Sequence, residues 1–379
     1  MELTDRQRNY RDSVREFSDQ EIAPLAKQID EIEEYPRHLF EKLSDFGLFG
    51  IQAPKEYGGQ GLDTVSYAIA VEEVSRVCGS TGIMVAAHNS LGLMPFILFG
   101  NDDQKQEYIP ILANGKEGLG SFGLTEPGAG SDAGATKTTA VQDGDHWVVN
   151  GNKCFITNAG LCRVLVTTAK TEKIPGSRGI TSFIVDRGTP GFIVGKKEDK
   201  MGLRGSDTRE LAFESMRLPV EKVLGKEGDG FKQFMIILDG GRISIAAMAL
   251  GLAQGAFDYA SHHVKTTSYL GKPKTDYQSY QWKIADMYTR IQAARHLVLH
   301  AARLEDAHQK IVLESAMAKL YASEIATESI RAAMQIVGQR GYLEETPLER
   351  MYRDVRLCEV GEGTSEIQRI VISRNLFKS

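Results

Sequence analysis

Cysteine is scarce in this sequence: Cys78, Cys154, Cys162 and Cys358 are the only four in 379 residues, and no two have C-x-x-C spacing. That excludes a disulfide framework, disfavours a structural zinc site and points to a reducing compartment, so a cytoplasmic location is expected. Positive charge is not in excess. The 45 Lys and Arg against 50 Asp and Glu leave a net charge of −5 and a pI near 6.0, without the basic footprint of a nucleic-acid binder. No apolar run is expected to reach the roughly 20 residues of a membrane helix, and mean hydropathy is −0.26. Residues 1–17 lack the apolar core of a signal peptide. There is no strand-following G-x-G-x-x-G, no Walker A loop and no G-x-S-x-G elbow, which disfavours a nicotinamide Rossmann site, a P-loop and an α/β-hydrolase nucleophile. His296 and His300 lie four apart but have no H-E-x-x-H pattern and no third ligand, so no metal is expected.

What is present is an ordinary globular composition, 42% hydrophobic and 25% charged, in a length suited to two or three compact units. The first third reads helical. Thr4 followed by Gln7 suits a capping box at a helix start near residue 5. Tyr10, Val14, Phe17, Ile22, Leu25 and Ile29 follow at mostly helical spacing, with breaks at Gly58-Gly59 and Gly79. Near residue 120 the pattern changes. Asp143-Gly144 and Asn150-Gly151 are hairpin-type pairs flanking the β-rich run His146 to Val149. Further β-rich segments are Val164 to Thr168, Ile180 to Val185, Phe192 to Val194 and Leu211 to Phe213. After Gly230 the helical period returns, and Ile284, Met287, Ile291, Ala294, Val298 and Ala301 form one face of a long helix suited to a bundle. The expected domains are 1–119 (helical), 120–230 (β) and 231–379 (helical bundle).

Four stretches carry the chemistry: Leu124-Thr125-Glu126-Pro127-Gly128-Ala129-Gly130-Ser131-Asp132, Phe155-Ile156-Thr157-Asn158-Ala159, Lys200-Met201-Gly202-Leu203-Arg204-Gly205-Ser206, and Gly361-Glu362-Gly363-Thr364-Ser365-Glu366-Ile367-Gln368-Arg369. In order and spacing, over essentially the whole chain, they resemble the acyl-CoA dehydrogenase family of flavoenzymes. The resemblance implies an α+β fold: an N-terminal all-α domain, a β-barrel-like middle domain and a C-terminal four-helix bundle. It implies oxidation of an acyl-CoA at its α and β carbons with FAD as hydride acceptor. Electron-transferring flavoprotein would be the partner and a homotetramer the assembly.

By the same resemblance Glu362 is the base that takes the α proton, with its backbone N–H helping to bind the thioester oxygen. The FAD contacts it implies are Phe122, Leu124, Thr125, Gly130, Ser131, Phe155, Thr157, Gln278, Gln335, Gly338, Gln339, Thr364 and Glu366. The substrate contacts it implies are Ser131, Leu238, Asp239, Arg242, Gly361 and Gly363. Three alternatives stay open from the residues themselves: Asp239 as a helix cap, Arg242 as a helix-surface ion pair, and Phe155 as a core aromatic. His88 reads either as a residue tuning the far end of the acyl pocket or as a satisfied core histidine.

The sequence departs from the family pattern in four places. Some members carry the base directly before the arginine of the helix after the β domain; here that site is Gly241, which cannot be a base. The family's tyrosine before the catalytic glutamate is Gly361. Losing a ring that buries ~150–250 Å² opens space beside Cα and Cβ, so a short, branched or alicyclic acyl group is expected unless another residue refills it. The family's pyrophosphate arginine and following phenylalanine are Thr267 and Leu270. A glycine of its adenosine loop is Gln339, and Arg340 is the expected replacement for the missing charge. Two rival readings accompany the dehydrogenase: an enoyl-CoA reductase working with a flavoprotein partner, and a flavin-poor acyl-CoA-binding protein.

Overall fold

The computed structural model describes residues 2–172 and 177–377. Its first helix, α1 (Asp5–Phe17), begins where the sequence places it. Thr4 Oγ1 accepts from the Gln7 N–H at 3.2 Å and Gln7 Oε1 accepts from the Thr4 N–H at 3.0 Å, closing the capping box. The helices α2 (Ala26–Ile32), α3 (Arg37–Phe46), α4 (Thr64–Val77), α5 (Gly79–Ala87), α6 (Met94–Phe99) and α7 (Asp102–Asn114) follow.

The β region comprises β1 (Leu119–Gly123), β2 (Thr139–Asp143), β3 (His146–Thr157), β4 (Cys162–Lys170), β5 (Ile180–Asp186), β6 (Phe192–Lys197) and β7 (Thr208–Pro219). They form one sheet in the order β1-β4-β2-β3-β7-β6, with β5 also paired to β4. The Asp143-Gly144 pair makes the expected hairpin: Asp143 pairs with His146, and Gly144 takes φ +63°. Asn150-Gly151 does not make a second one. Strand β3 runs on through it to Thr157 with a register shift against β7. The Asn150 side chain accepts from the Ser215 N–H at 2.8 Å, and a Cβ on Gly151 would stand 2.4 Å from Thr138 Oγ1. A cross-strand bond and a close approach therefore convert an apparent turn signal into a bulge.

The remaining chain is α8 (Gly230–Thr266), a small hairpin of β8 (Ser268–Tyr269) and β9 (Lys272–Pro273), then α9 (Gln278–Asp306), α10 (Val312–Val337), α11 (Pro347–Asp354), α12 (Arg356–Val360) and α13 (Ser365–Leu376). Helix α10 packs along α8, α9 and α13 as a bundle, and α4 lies against α8. Small residues permit that last contact: a Cβ on Gly251 would sit 2.2 Å from Glu72 O, and one on Gly255 2.1 Å from Arg76 O. Met287, Ile291, Ala294, Val298 and Ala301 of α9 are buried, as their spacing requires. One expectation needs correction. Gly79–Phe99 and Gly230–Thr266 are long and apolar enough to cross a membrane by length and composition, but in each 72% of the most apolar 18-residue window is buried inside the fold, as in core helices.

Candidate active site

Glu362 lies in the turn between α12 and α13. Its φ is +52° and that of Gly363 is +92°, so two consecutive residues are left-handed. For a glutamate this costs of order 1–3 kcal/mol and persists only if the surroundings impose it. They do so through the two carbonyls of the turn. Gln368 Nε2 donates to Glu362 O at 3.1 Å and to Gly363 O at 2.9 Å, and Lys319 Nζ of α10 donates to Gly363 O at 2.7 Å. Thr364 Oγ1 accepts from the Ile367 N–H at 3.3 Å and caps α13, while Glu366 stands exposed in its first turn.

The turn sends the carboxylate back against α8. A Cβ on Gly241 would stand 2.1 Å from Glu362 Oε2 and 2.9 Å from its Cδ. That oxygen is buried and has no hydrogen-bond partner. Burial pushes the Glu362 carboxyl up to about 7, against the pull of the Lys319 and Arg242 charges. Arg242 is itself buried. Its Nη1 lies 2.5 Å from Asp239 Oδ1, and its Nε has no partner. The helix-surface alternative for Arg242 is thereby removed. Asp239 lies well inside α8, so it is no cap; burial raises its pKa and the Arg242 charge opposes this.

Gly361 is extended, with φ −67° and ψ 152°. A Cβ there would meet Leu357 O at 3.3 Å and the Leu357 Cδ1 at 3.4 Å. Leu357 thus flanks the space that a family tyrosine would enter. Leu238 packs beside Phe234 and Ile237 at the start of α8.

The β side is joined to α8 through Phe122, whose ring stacks on Phe234 at 3.8 Å between centroids. The following loop is held by a buried ion pair, Lys153 Nζ to Glu126 Oε1 at 2.8 Å. Lys153 also donates to Leu124 O at 3.2 Å, and the Cys154 N–H donates to Thr125 O at 2.9 Å. Glu126 takes the Lys137 and Thr138 N–H groups at 2.6 and 3.2 Å and the Thr136 hydroxyl. Burial works to raise the Glu126 carboxyl, but Lys153 and these donors bring it down to about 2. Nothing in the local sequence marks Lys153 as buried, and sequence reasoning missed this clip. Gly130 and Ser131 are exposed beyond it. Phe155 is no core aromatic: it is 68% exposed with φ +57°, two residues before the half-buried Thr157.

A third group lies elsewhere. Gln335, Gly338 and Gln339 are exposed at the end of α10, and Gln278 is exposed at the start of α9. Gln335 is 16 residues along α10 from Lys319, about 24 Å at helical rise, so a single chain does not bring this group to Glu362. Gln335 and Gly338 line a cleft of about 420 Å³ with Arg331, Met334, Tyr342 and Tyr352. Arg340 is exposed and paired with Glu345 at 3.1 Å. Thr267 Oγ1 donates to His263 O at 2.6 Å, and Lys274 Nζ, another residue sequence reasoning missed, lies 2.6 Å from His263 Nε2.

His88 belongs to the core. Its Nδ1 accepts from the Gly120 N–H, its Nε2 lies 3.0 Å from Phe49 O and Leu112 O, and burial pushes its pKa down to about 4. The expected FAD needs a flat face for its ring and an accessible polar track for its phosphates and adenosine. An aromatic ring held out on left-handed backbone beside Thr157, the clamped Leu124-Thr125 loop and the Gln335–Gly338 cleft fit those needs.

The chain matches three family models in order: acyl-CoA dehydrogenase N-terminal domain at residues 4–116, middle domain at 121–216 and C-terminal domain at 228–377. It is 50% identical over 378 residues to a probable acyl-CoA dehydrogenase of Bacillus subtilis, covering 100% of this chain and 99% of that protein. It is 46% identical over 376 residues to the short-chain specific acyl-CoA dehydrogenase of Clostridium acetobutylicum, with 99% of each covered. A chain solved in work on the electron transferring flavoprotein of Acidaminococcus fermentans and flavin-based electron bifurcation superposes with a TM-score of 0.97 at 44% identity, over 100% of both chains.

Proposed function

Because this chain belongs to the acyl-CoA dehydrogenase family, we propose the following reading of its site: Glu362 takes the α proton of a short acyl-CoA as the β hydride departs. The protein is an FAD-dependent oxidoreductase acting on acyl-CoA thioesters, and electrons pass on to electron-transferring flavoprotein. FAD, when bound, supplies the hydride acceptor. Leu124, Thr125, Phe155 and Thr157 would hold its ring. Gln278, Gln335, Gly338 and Gln339 of a neighbouring copy would hold its distal end in a homotetramer. We place the protein in the cytoplasm.

One observation carries the assignment of the base: Glu362 Oε2 is enclosed, unpartnered and turned into the notch left by Gly241. A carboxylate whose pKa is lifted toward neutrality is a strong base yet still substantially ionised at pH 7. Its side chain accepts the proton from Cα and becomes a neutral acid, and its backbone N–H is assigned to the thioester oxygen, where negative charge develops. Asp239 and Arg242, paired in one α8 turn, orient the thioester end of the substrate. The apolar walls around Leu238 exclude water.

Gly361 favours bulk near Cα and Cβ, hence a branched or alicyclic group. Arg340 contributes charge to the phosphates of FAD; unchanged FAD retention by Arg340→Ala on gel filtration would rule that out. The comparisons favour neither the reductase direction nor a flavin-poor binding protein. The experiment is an anaerobic panel of short linear, branched and alicyclic acyl-CoAs, read as loss of flavin absorbance. Short acyl-CoAs should bleach the flavin, and a flavin that no thioester reduces would sink the reading.

A further inference from the structure

Lys319 appears in none of the four stretches that carry the chemistry. It sits in α10 with no exposed surface, and among the described residues no carboxylate lies within ion-pair distance of it. Burying an ammonium without a counter-ion is costly. A residue needed only to fill that space would be better as methionine or leucine. Among the described residues, the one hydrogen bond its Nζ makes is to the carbonyl of Gly363, at 2.7 Å, in the turn that carries Glu362.

We propose that Lys319 is the positioning residue for the base. It holds the left-handed Glu362-Gly363 turn by its carbonyl and supplies the positive charge that keeps the Glu362 carboxylate ionised. The proposal rests on the reading of Glu362 as the base. The geometry has two parts. Gln368 grips the same carbonyl from α13 at 2.9 Å, so the turn is clamped between two helices, and only the α10 side of the clamp is charged. The cation also acts on the carboxylate by its charge, from beyond ion-pair distance. The charged and titratable groups around the pair are Arg242 from α8, Cys358 and Glu359 from α12, and Tyr67 from α4. Among these only Arg242 shares the sign of Lys319, and Arg242 is already paired with Asp239. Burial pulls the Lys319 ammonium down to about 8, against the attraction of Cys358, Glu362 and Glu359. At that value most of it is still protonated at pH 7, where Glu362 must lose its proton.

The sign follows from the charge. A cation beside Glu362 favours its ionised form, so removing it raises the carboxyl pKa and moves the acid limb of kcat/KM to higher pH. The test uses FAD-loaded Lys319→Met, Lys319→Gln and Lys319→Arg with butyryl-CoA, alongside Glu362→Gln. Lys319→Met should shift the limb up by about one pH unit and lower kcat about tenfold. Lys319→Gln keeps a donor for Gly363 and should shift the limb with a smaller fall in kcat. Lys319→Arg should restore the wild-type limb. An unmoved limb in both neutral variants overturns the proposal, even if their rates fall. So does failure of all three variants to fold and retain FAD, since Lys319 would then be a folding element. Substantial turnover by Glu362→Gln would instead overturn the reading of the base, whatever the lysine variants do.

Discussion

The carboxylate of Glu362 occupies the place that a side chain on Gly241 would take: a Cβ there would come 2.1 Å from Glu362 Oε2. A side chain at position 241 and the carboxylate of Glu362 compete for the same space. A glycine at one is the space in which the glutamate at the other is held.

Gly241→Ala tests that exclusion. Alanine in a helix interior is intrinsically favoured over glycine by about 1 kcal/mol, while overpacking costs about 1–3 kcal/mol. The melting temperature should therefore change little or fall modestly. Activity should fall about 10²-fold, because the methyl displaces the carboxylate by roughly 1 Å. Steady-state kcat and a thermal melt check both halves, and near-normal kcat would show that Glu362 does not depend on the notch.

The Lys153–Glu126 pair makes a prediction about pH. The Glu126 carboxyl is held at about 2, below its ordinary 4.5. A carboxyl lowered in the folded state adds stability that is complete above its unfolded value and is lost as pH falls through its folded value. The stability it provides should thus decline from about pH 4.5 down to about 2. Lys153→Met leaves a buried carboxylate without its cation, at a cost of about 3–5 kcal/mol near neutrality. It should also loosen the Leu124-Thr125 loop and weaken FAD retention. Melts of both proteins across that range check the sign, and a smaller loss of stability at neutral pH than at pH 3 would contradict it.

Gly361→Tyr should move selectivity toward linear thioesters. The new Cβ fits beside Leu357 with a shift of a few tenths of an ångström, its backbone oxygen and side chain lying 3.3 and 3.4 Å away, and the ring enters the space that Leu357 flanks. The space lost next to Cα and Cβ should cost bulky substrates about 1–3 kcal/mol, one to two decades in relative kcat/KM. Wild-type preference for butyryl-CoA over every branched and alicyclic thioester would remove Gly361 as a specificity device.

Much of this was legible in the residues. The Thr4–Gln7 box, the Asp143-Gly144 turn and the α9 face depend on neighbours within four positions, and local spacing reports such contacts directly. Asn150-Gly151 was misleading because a partner 65 residues away, Ser215, takes the Asn150 side chain. The motif containing Glu362 pointed to a base, and Gly241 was visible as a position that cannot hold one. That Gly241 makes room for Glu362 depends on two segments 121 residues apart meeting. Lys319 was invisible for a related reason. In Ala316-Met317-Ala318-Lys319-Leu320 a lysine reads as an ordinary solvated helix residue, and only the packing of α10 under the Glu362 turn reveals that it is buried.

The most direct measurement is anaerobic mixing of FAD-loaded Glu362→Gln with a short acyl-CoA that bleaches the wild-type flavin. The amide keeps the shape of the side chain but cannot take the α proton, so thioester binding should persist while flavin reduction slows by about 10²–10⁴-fold or more. Reduction of the Glu362→Gln flavin at near wild-type rate would contradict the account and place the base elsewhere.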